Sequence, residues 1–333
     1  MDNSPEHGGE ERKTTPMRVL VTGGSGRLGR SVVAALAARG HQVTSVDTAA
    51  ADQPEGVDAV TADLLDPAAL EAAFTRARPE AVVHLAGIAV PFARPDVETL
   101  QVNTGLAWAV LSAAVAHGAH SAVAASSPTV YGYNTPSWAP RYLPLDEDHP
   151  VTPWHAYGLS KAIIEDTVRA LARTSATCVL SCVRPGYVVA PEEWEGAPTQ
   201  LGHTMAERLA DPALAATSLF NYVDARDAAE LFALVIENPA KVSGGQVFNA
   251  MAPDPLSEVP VDALLPLHHP GTAPEAAALA DGRAVFSSQA ARTALGWAPS
   301  RTWRTQLRTG KSRSITSLDE SGTGGVRETS ERP

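Results

Sequence analysis

The stretch VTGGSGRLGRS, residues 21–31, contains three glycines spaced three apart. It follows the short apolar run 17–21, which has the composition of a buried strand. It leads into SVVAALAARG, residues 31–40, where apolar residues recur at helical spacing and a glycine ends the segment as helix C-caps commonly do. The pattern therefore predicts a strand, a glycine-rich turn and a helix in direct succession.

Glycines at such a turn favour the binding of a dinucleotide. Without a Cβ, Gly23, Gly26 and Gly29 let the chain turn tightly, let the backbone approach a pyrophosphate and let the helix pack on the strand. The free N–H groups and the dipole of the helix N-terminus then face the anion. Arg27 and Leu28, between the last two glycines, are expected to contact the same ligand. The alternative is a glycine-rich connector that binds nothing.

The end of the second predicted strand indicates which dinucleotide. Asp47 follows the extended run 41–46, about twenty residues beyond the glycines, where a carboxylate can accept hydrogen bonds from an adenosine ribose. The same carboxylate would repel a 2′-phosphate, and residues 48–50 offer no arginine to bind one. We therefore expect NAD rather than NADP, although Asp47 could also be an ordinary turn residue.

Strands and helices alternate through the first part of the chain. Further strands are predicted at 58–61, 81–85, 121–125 and 177–183, with helices at 67–76, 97–117 and 153–173. This alternation predicts an α/β fold, a Rossmann-type doubly wound parallel sheet. Ligands of such sheets bind at the carboxyl ends of the strands.

The domain organisation follows from this pattern. We expect an NAD-binding Rossmann domain over residues 17–185 and a smaller substrate lobe over 186–304, from which the chain returns to the sheet near 220–250. Residues 1–16 and 309–333 are polar and charged, as in disordered tails.

Composition excludes several classes of partner. The chain has 333 residues, 44% of them hydrophobic, and a net charge of −11, which argues against binding nucleic acid or an anionic membrane surface. We find no apolar run long enough to cross a bilayer and no signal-peptide pattern, so we expect a cytoplasmic protein. Cys178 and Cys182, roughly 13 Å apart if both lie on one strand, are expected to remain free. No metal site is predicted.

Candidate catalytic groups follow the fifth strand. Tyr157 and Lys161 are four residues apart on a predicted helix, so both face one way. An ammonium one turn away is expected to lower the pKa of the phenol, so that Tyr157 can take or return a hydroxyl proton. Ser127 can hold the same substrate oxygen by a hydrogen bond.

The alternative is an ordinary surface pair of tyrosine and lysine. The basic residues number 26, and only four of them are lysines, at positions 13, 161, 241 and 311. A chain that almost always uses arginine thus has lysine where a compact ammonium suits the chemistry. His84, at the end of a buried strand, is interpreted as structural.

These motifs together resemble the extended short-chain dehydrogenases/reductases, the NAD-dependent epimerase/dehydratase family. The matching segments are TGGSGRLG at 22–29, Asp63-Leu64, Ser127 before VYG, Tyr157 with Lys161, VNTG at 102–105, RPG at 184–186, YVDARD at 222–227 and LGWAP at 295–299. The likeness covers residues 17–304.

The resemblance implies bound NAD(P), a carboxyl-terminal lobe that holds a small-molecule substrate, and a homodimer. It also implies a Ser127, Tyr157 and Lys161 triad in which Lys161 additionally holds the nicotinamide ribose. The further residues that it assigns to the cofactor are Asp63, Leu64, Leu85, Ala86, Gly87, Asn103 and Pro185.

Departures from the family motifs narrow the range of expected substrates. Sugar-nucleotide 4,6-dehydratases carry an Asp-Glu pair where this chain has Pro128 and Thr129, so dehydration of that kind is not expected. Nucleotide-sugar 4-epimerases usually have an asparagine where this chain has Tyr187, and often an arginine at the position of Phe220. Losing both diphosphate contacts favours a smaller or less charged substrate.

We therefore expect an NAD-dependent oxidoreductase acting on a secondary alcohol or ketone of a small sugar-like or sugar-acid substrate. The alternatives are a nucleotide-sugar 4-epimerase and, on the same fold, a non-catalytic NAD-binding regulator. The candidate substrate contacts are Pro128, Thr129, Tyr187, Trp194 and Arg226. Trp194 could instead pack the lobe on the sheet domain, and Arg226 could be a salt-bridge partner.

Overall fold

The fold is taken from a computed structural model that describes residues 15–49, 51–135 and 137–307. The two predicted tails lie outside these residues, apart from Thr15 and Pro16.

Seven parallel strands form the main sheet, in the order β3-β2-β1-β4-β5-β6-β9. Their bounds are β1 Arg18–Thr22, β2 Gln42–Asp47, β3 Asp58–Thr61, β4 Ala81–His84, β5 Ser121–Ala125, β6 Val179–Pro185 and β9 Gln246–Ala250. Two short strands, β7 Val188–Val189 and β8 Val223–Asp224, pair in parallel as a separate sheet. The strand order reverses between β1 and β4, which is where ligands bind in such sheets. The predicted fold class is confirmed.

Ten α-helices surround the sheet and build the lobe in the described part of the chain. They are α1 Arg27–Ala38, α2 Pro67–Ala77, α3 Asp96–Ala116, α4 Ala156–Thr174, α5 Pro191–Trp194, α6 Met205–Ala210, α7 Pro212–Ala216, α8 Ala225–Glu237, α9 Val261–His268 and α10 Gln289–Leu295. The predicted elements of the sheet domain recur within about three residues of these bounds. A 3₁₀ turn, Pro128–Tyr131, follows β5.

Separate apolar clusters cover the two faces of the main sheet. One joins the sheet to α1, α8 and α10, and the other joins it to α2, α3 and α4. A third cluster, which includes Trp194, Phe220 and Trp303, forms the core of the carboxyl-terminal lobe. Cys178 and Cys182 are buried and free, as their spacing predicts.

Helix α3 corrects one expectation from the sequence. Among the described residues it alone has the length and mean hydropathy, 21 residues and 1.2, of a helix able to cross a membrane. Its side chains Leu106, Val110 and Leu111 are buried in the cluster between the sheet and α4. A buried core helix meets the same criterion, so length and composition alone do not assign α3 to a membrane.

Candidate functional site

A cleft of about 1350 Å³ runs along the carboxyl ends of the strands and into the lobe. It contains most of the residues that the sequence assigns to the cofactor and the triad. Those lining it are Gly23, Gly26, Arg27, Leu28, Gly29, Asp47, Asp63, Leu64, Leu85, Ala86, Gly87, Ser127, Tyr157, Lys161 and Pro185. The candidate substrate contacts Pro128, Thr129 and Tyr187 line it as well.

The glycine loop has the packing expected of a phosphate-binding turn. Gly23 has φ +76°, and a Cβ there would lie 2.6 Å from the Ala86 nitrogen. A Cβ on Gly29 would lie 2.0 Å from the Gly23 oxygen, so only glycine lets α1 approach the turn. A Cβ on Gly26 would meet only the Gly23 oxygen, at 3.2 Å. The backbone of Gly26 borders the cleft. These residues fit a dinucleotide pyrophosphate at the start of α1.

Asp47 connects the glycine loop to the end of β2. Its Oδ2 accepts a hydrogen bond from the Ser25 nitrogen at 3.0 Å, and its Oδ1 accepts one from the Ala49 nitrogen at 3.3 Å. The carboxylate is thereby held at the cleft wall, in the position from which it could bind an adenosine ribose.

Asn103 does not line the cleft, and its predicted contact with the cofactor stays a prediction. It is 1% exposed, accepts from the Ile88 nitrogen at 2.7 Å and donates to the Ser160 hydroxyl at 3.0 Å. A Cβ on Gly87 would lie 2.8 Å from its Oδ1. Asn103 therefore supports the loop after β4 from α3, whose Val102 and Leu106 line the cleft.

The triad converges at the centre of the cleft. Ser127 caps the 3₁₀ turn, and its Oγ accepts from the Thr129 nitrogen at 3.2 Å and from Thr129 Oγ1 at 3.0 Å. Lys161 Nζ donates to the Ala125 oxygen at 2.9 Å and lies 5.7 Å from the centroid of the Tyr157 ring. All three triad side chains are buried. The structure thus brings together the end of β5 and one face of α4, as the spacing predicts.

The expected lowering of the Tyr157 pKa is not found. Burial raises the pKa of Tyr157 to about 12, and its hydrogen bond with Ser127 only partly opposes this. Burial also lowers the pKa of Lys161 to about 8. The ammonium donates to a backbone carbonyl instead of the phenol, so desolvation of the ring dominates. In this state Tyr157 holds its proton at neutral pH.

A buried ion pair fixes the helix that carries Tyr157. Arg184, on β6, donates from Nε and Nη2 to the two carboxylate oxygens of Glu165, on α4, at 2.7 and 2.8 Å. Ser126, beside the triad serine, donates to the same carboxylate at 2.6 Å. Arg184 also donates to the Tyr131 hydroxyl at 2.7 Å. One network therefore ties β5, β6, α4 and the 3₁₀ turn together around the triad.

Comparison with known families now identifies the chain. The model of the NAD dependent epimerase/dehydratase family matches residues 19–250. The chain belongs to this family. Membership confirms the resemblance read from the motifs and NAD as the predicted cofactor.

Individual epimerase/dehydratase proteins are similar over part of the chain. UDP-glucose 4-epimerase 2 of Oryza sativa subsp. japonica is 32% identical over 181 residues, 49% of this chain and 43% of the relative. UDP-glucose 4-epimerase of Mus musculus is 33% identical over 176 residues, 47% of this chain and 49% of the relative. The chain thus matches about half the length of these curated relatives.

Solved structures extend the similarity to the whole fold. A short-chain dehydrogenase/reductase superfamily protein from Agrobacterium tumefaciens, solved with bound NAD, is 25% identical with a TM-score of 0.68. The alignment covers 91% of this chain and 99% of that one. A UDP-galactose 4-epimerase structure is 20% identical with a TM-score of 0.64, covering 91% and 100%.

Two candidate substrate contacts of this epimerase/dehydratase chain, Trp194 and Arg226, do not line the cleft, and the structure favours the alternative given for each. Trp194 is 5% exposed in the lobe core, where its Nε1 donates to Asp224 Oδ2 at 2.8 Å. Arg226 donates from Nε to Asp224 Oδ1 at 2.9 Å and from Nη2 to Gln306 at 2.9 Å. Asp224 caps α8, so both side chains serve that helix start instead of a substrate.

His84 agrees with its structural interpretation. Its Nδ1 lies 2.7 Å from Thr22 Oγ1, and burial together with the Lys161 charge lowers its pKa to about 3. The imidazole is therefore neutral, and it joins the end of β4 to Thr22 at the end of β1. In residues 15–49, 51–135 and 137–307, no group of three or more His, Cys, Asp or Glu side chains could hold a metal ion.

Sequence reasoning missed the lobe end of the cleft, which we define by its lining residues. These are Tyr133, Asn134, Thr135, Trp138, Tyr187, Gln200, Leu201, Thr217, Ser218, His268, His269, Pro270 and Gly271. They come from five separated stretches with no motif in common, and Tyr187 alone was a candidate. An ion pair was also missed: Arg27, in the glycine loop, pairs with the buried Glu193 of α5.

His155 was missed as well and caps the helix of Tyr157. Its Nδ1 accepts from the Gly158 nitrogen at 3.0 Å, and its ring stacks beside the Tyr157 ring with centroids 6.2 Å apart. Burial lowers the pKa of His155, with Asp96 opposing. A protonated imidazole cannot accept this bond, and its charge would face the positive end of the helix dipole.

His155 leads to a prediction about acid stability. Because its pKa is lowered on folding, its contribution is fully present above the ordinary value of 6.5 and is lost as the pH falls through the folded value. We expect His155→Ser, which keeps a cap that does not titrate, to reduce the loss of Tm on acidification. His155→Ala, the control, removes the cap and should lower the free energy of unfolding by about 0.5–2 kcal/mol above pH 6.5. Thermal unfolding measured across pH tests this role. An equal loss of Tm on acidification in the wild type and in His155→Ser would contradict it.

Proposed function

We propose that the protein is an NAD-dependent oxidoreductase that transfers hydride at a secondary alcohol or ketone of a small, sugar-like substrate. The observation that carries the proposal is the convergence of Ser127, Tyr157 and Lys161 in the same cleft as the glycine loop. Buried, mutually oriented groups of these types beside a cofactor site form a proton-transfer device.

Each triad residue has a distinct role in the proposed reaction. Ser127 donates a hydrogen bond to the substrate oxygen and orients it, and Tyr157 Oη gives that oxygen a proton in reduction or removes it in oxidation. Lys161, fixed on the Ala125 carbonyl, keeps a positive charge beside the developing phenolate. The bound dinucleotide would accept the hydride as NAD when the alcohol is oxidised and would supply it as NADH when the ketone is reduced. Gly23, Gly26 and Asp47 are the residues that would hold it.

A small substrate is favoured by two positions. Phe220 is fully buried in the lobe core, with its ring 6.0 Å from that of His268, so it leaves no cation there for a diphosphate. Tyr187 fills the other position and lines the cleft. The similarity to UDP-glucose 4-epimerases supports the second candidate, a nucleotide-sugar 4-epimerase with tightly bound NAD. The intact triad argues against a non-catalytic regulator.

One pair of assays tests the proposal. The purified protein with NAD and a sugar substrate should form NADH, which is followed by its absorbance. An epimerase recycles its NADH, so chiral analysis of the product separates epimerisation from net oxidation. Neither NADH nor an epimer, from a protein that binds NAD, would support the regulator instead.

Asp47 leads to a prediction about cofactor choice. Since its carboxylate borders the cleft, a 2′-phosphate would meet an uncompensated negative charge, and calorimetry should find NAD bound much more tightly than NADP. Asp47→Ala should weaken NAD and reduce the preference, whereas Asp52→Ala, outside the cleft lining, should change neither. Equal affinities of the wild type for the two dinucleotides would contradict the assignment.

We also propose a homodimer that pairs α3 and α4 with those of a second copy. Val97 and Trp108, three turns apart on α3, are 67% and 57% exposed, and Leu159 on α4 is 42% exposed. A second copy would cover this apolar face through a two-fold axis. We expect sedimentation to give a dimer that Trp108→Glu dissociates, while Leu267→Glu, at another exposed leucine, leaves it intact. A monomeric wild type would contradict this.

A further inference from the structure

The lobe end of the cleft differs in charge from the cofactor end. Among the described residues that line the whole cleft, the charged side chains other than three histidines are Arg27, Asp47, Asp63 and Lys161. Arg27, Asp47 and Asp63 lie at the glycine loop and the neighbouring strand ends, and Lys161 belongs to the triad. The described part of the lobe end therefore offers no permanent charge to a substrate.

Its lining is instead suited to neutral polar groups. Asn134, Thr135, Gln200, Thr217 and Ser218 supply amide and hydroxyl groups. Three aromatic side chains, Tyr133, Trp138 and Tyr187, stand beside them. Neutral donors and acceptors next to aromatic faces match a molecule with many hydroxyls and an apolar C–H face.

A cation does lie behind this wall, but it is covered. Arg208, on α6, has no exposed surface, and its guanidinium carbon lies 4.1 Å from the centroid of the Tyr187 ring. Its Nη2 donates to the Ser218 hydroxyl at 3.2 Å, whereas its Nε and Nη1 have no hydrogen-bond partner within the described residues. The Tyr187 hydroxyl is also buried without a partner.

The unpartnered nitrogens make Arg208 a latent anion site. A buried guanidinium with free N–H groups would bind a carboxylate strongly if the carboxylate could reach it. Tyr187 and Ser218 both line the cleft, and Arg208 does not, so these two side chains separate the cation from the substrate.

Resting on the function proposed above, we propose that the substrate is an uncharged polyhydroxyl compound, a neutral sugar or polyol, and that the Tyr187 ring excludes acidic analogues by covering Arg208. A carboxylate at the lobe end would lose its water without gaining a cation, which is costly. A neutral hydroxyl would find the amide and hydroxyl groups of the wall.

Matched sugars test the proposal. The probes are D-galactose with D-galacturonate and D-glucose with D-glucuronate, which differ in one carboxylate, and UDP-glucose as a third arm. Binding to the NAD-loaded wild type is measured by calorimetry and NADH formation by absorbance. We expect at least one neutral sugar to bind about 100-fold more tightly than its acid.

Variants of Tyr187 and Arg208 test whether the Tyr187 ring shields the guanidinium from the substrate. Tyr187→Ala should expose Arg208 and tighten binding of the acid at least about tenfold, while Tyr187→Phe keeps a ring and keeps the exclusion. Adding Arg208→Met to Tyr187→Ala should abolish the gain. NAD affinity is measured for each variant to verify that the cofactor domain is folded.

The outcomes separate the two proposals. A wild type that binds an acid or UDP-glucose as tightly as the neutral sugars, or that binds no neutral sugar, overturns the inference. The absence of a gain in a Tyr187→Ala variant that still binds NAD overturns the role of Tyr187. Binding of a neutral sugar with neither NADH nor an epimer formed overturns the proposed function and leaves the charge selectivity standing.

Discussion

Tyr157→Phe is expected to lower kcat by about 10²–10⁴ while NAD affinity and the fold persist. The variant removes one hydroxyl, the group that exchanges a proton with the substrate oxygen, and leaves the buried ring in place. Because burial raises the pKa of this phenol to about 12, its hydroxyl carries at neutral pH the proton that the variant removes. Steady-state kinetics in both directions, with NAD binding by calorimetry, measure the effect.

The matched control is Tyr142→Phe. It deletes the same atom from a tyrosine that does not line the cleft, so turnover should stay close to that of the wild type. Near-normal turnover of Tyr157→Phe would refute the assigned role. A loss shared equally by both variants would point to a general defect of folding.

Glu165→Gln is expected to lower the free energy of unfolding by about 3–5 kcal/mol. The substitution keeps the shape of the side chain but leaves Arg184, fully buried, facing a neutral amide in place of its two-point carboxylate. Burial opposes the ionisation of Glu165, yet the hydrogen bonds from Arg184 outweigh it and lower its pKa, so the pair is charged in the wild type. Denaturant unfolding measures the loss.

The adjacent carboxylate provides the control for this prediction. Asp166 is 76% exposed and pairs with Arg169 at 2.9 Å, so Asp166→Asn should change stability little, because exposed ion pairs contribute little. We also expect Glu165→Gln to reduce turnover more than NAD affinity, since the network adjoins the triad and not the glycine loop. A loss below about 1 kcal/mol would contradict the importance of the pair.

Short-range sequence patterns were sufficient to predict the strands and helices of the sheet domain. The glycines at positions 23, 26 and 29 lie between β1 and α1 as predicted, since turn geometry and helix packing depend on neighbours in sequence. The four-residue spacing of Tyr157 and Lys161 put both on one face of α4 for the same reason.

Contacts between distant segments were not visible in the sequence. Asn103 belongs to a segment that matches the family, yet its side chain points to Ile88 and Ser160 rather than to the cleft. Trp194 was equally compatible with a cleft wall or a core, and only the approach of Asp224, thirty residues away, decided for the core.

By itself the sequence determined the alternating elements of the doubly wound sheet, the glycine turn before α1 and the shared helix of Tyr157 and Lys161, because each depends on short-range spacing. Only the tertiary structure decided the electrostatics of the site. Desolvation raises the Tyr157 pKa against the expected effect of Lys161, and it depends on everything packed around the ring. Arginine is usually an exposed residue, so the sequence does not indicate that Arg208 is buried. The packing of α6 against Tyr187 buries its guanidinium and keeps the charge away from the substrate.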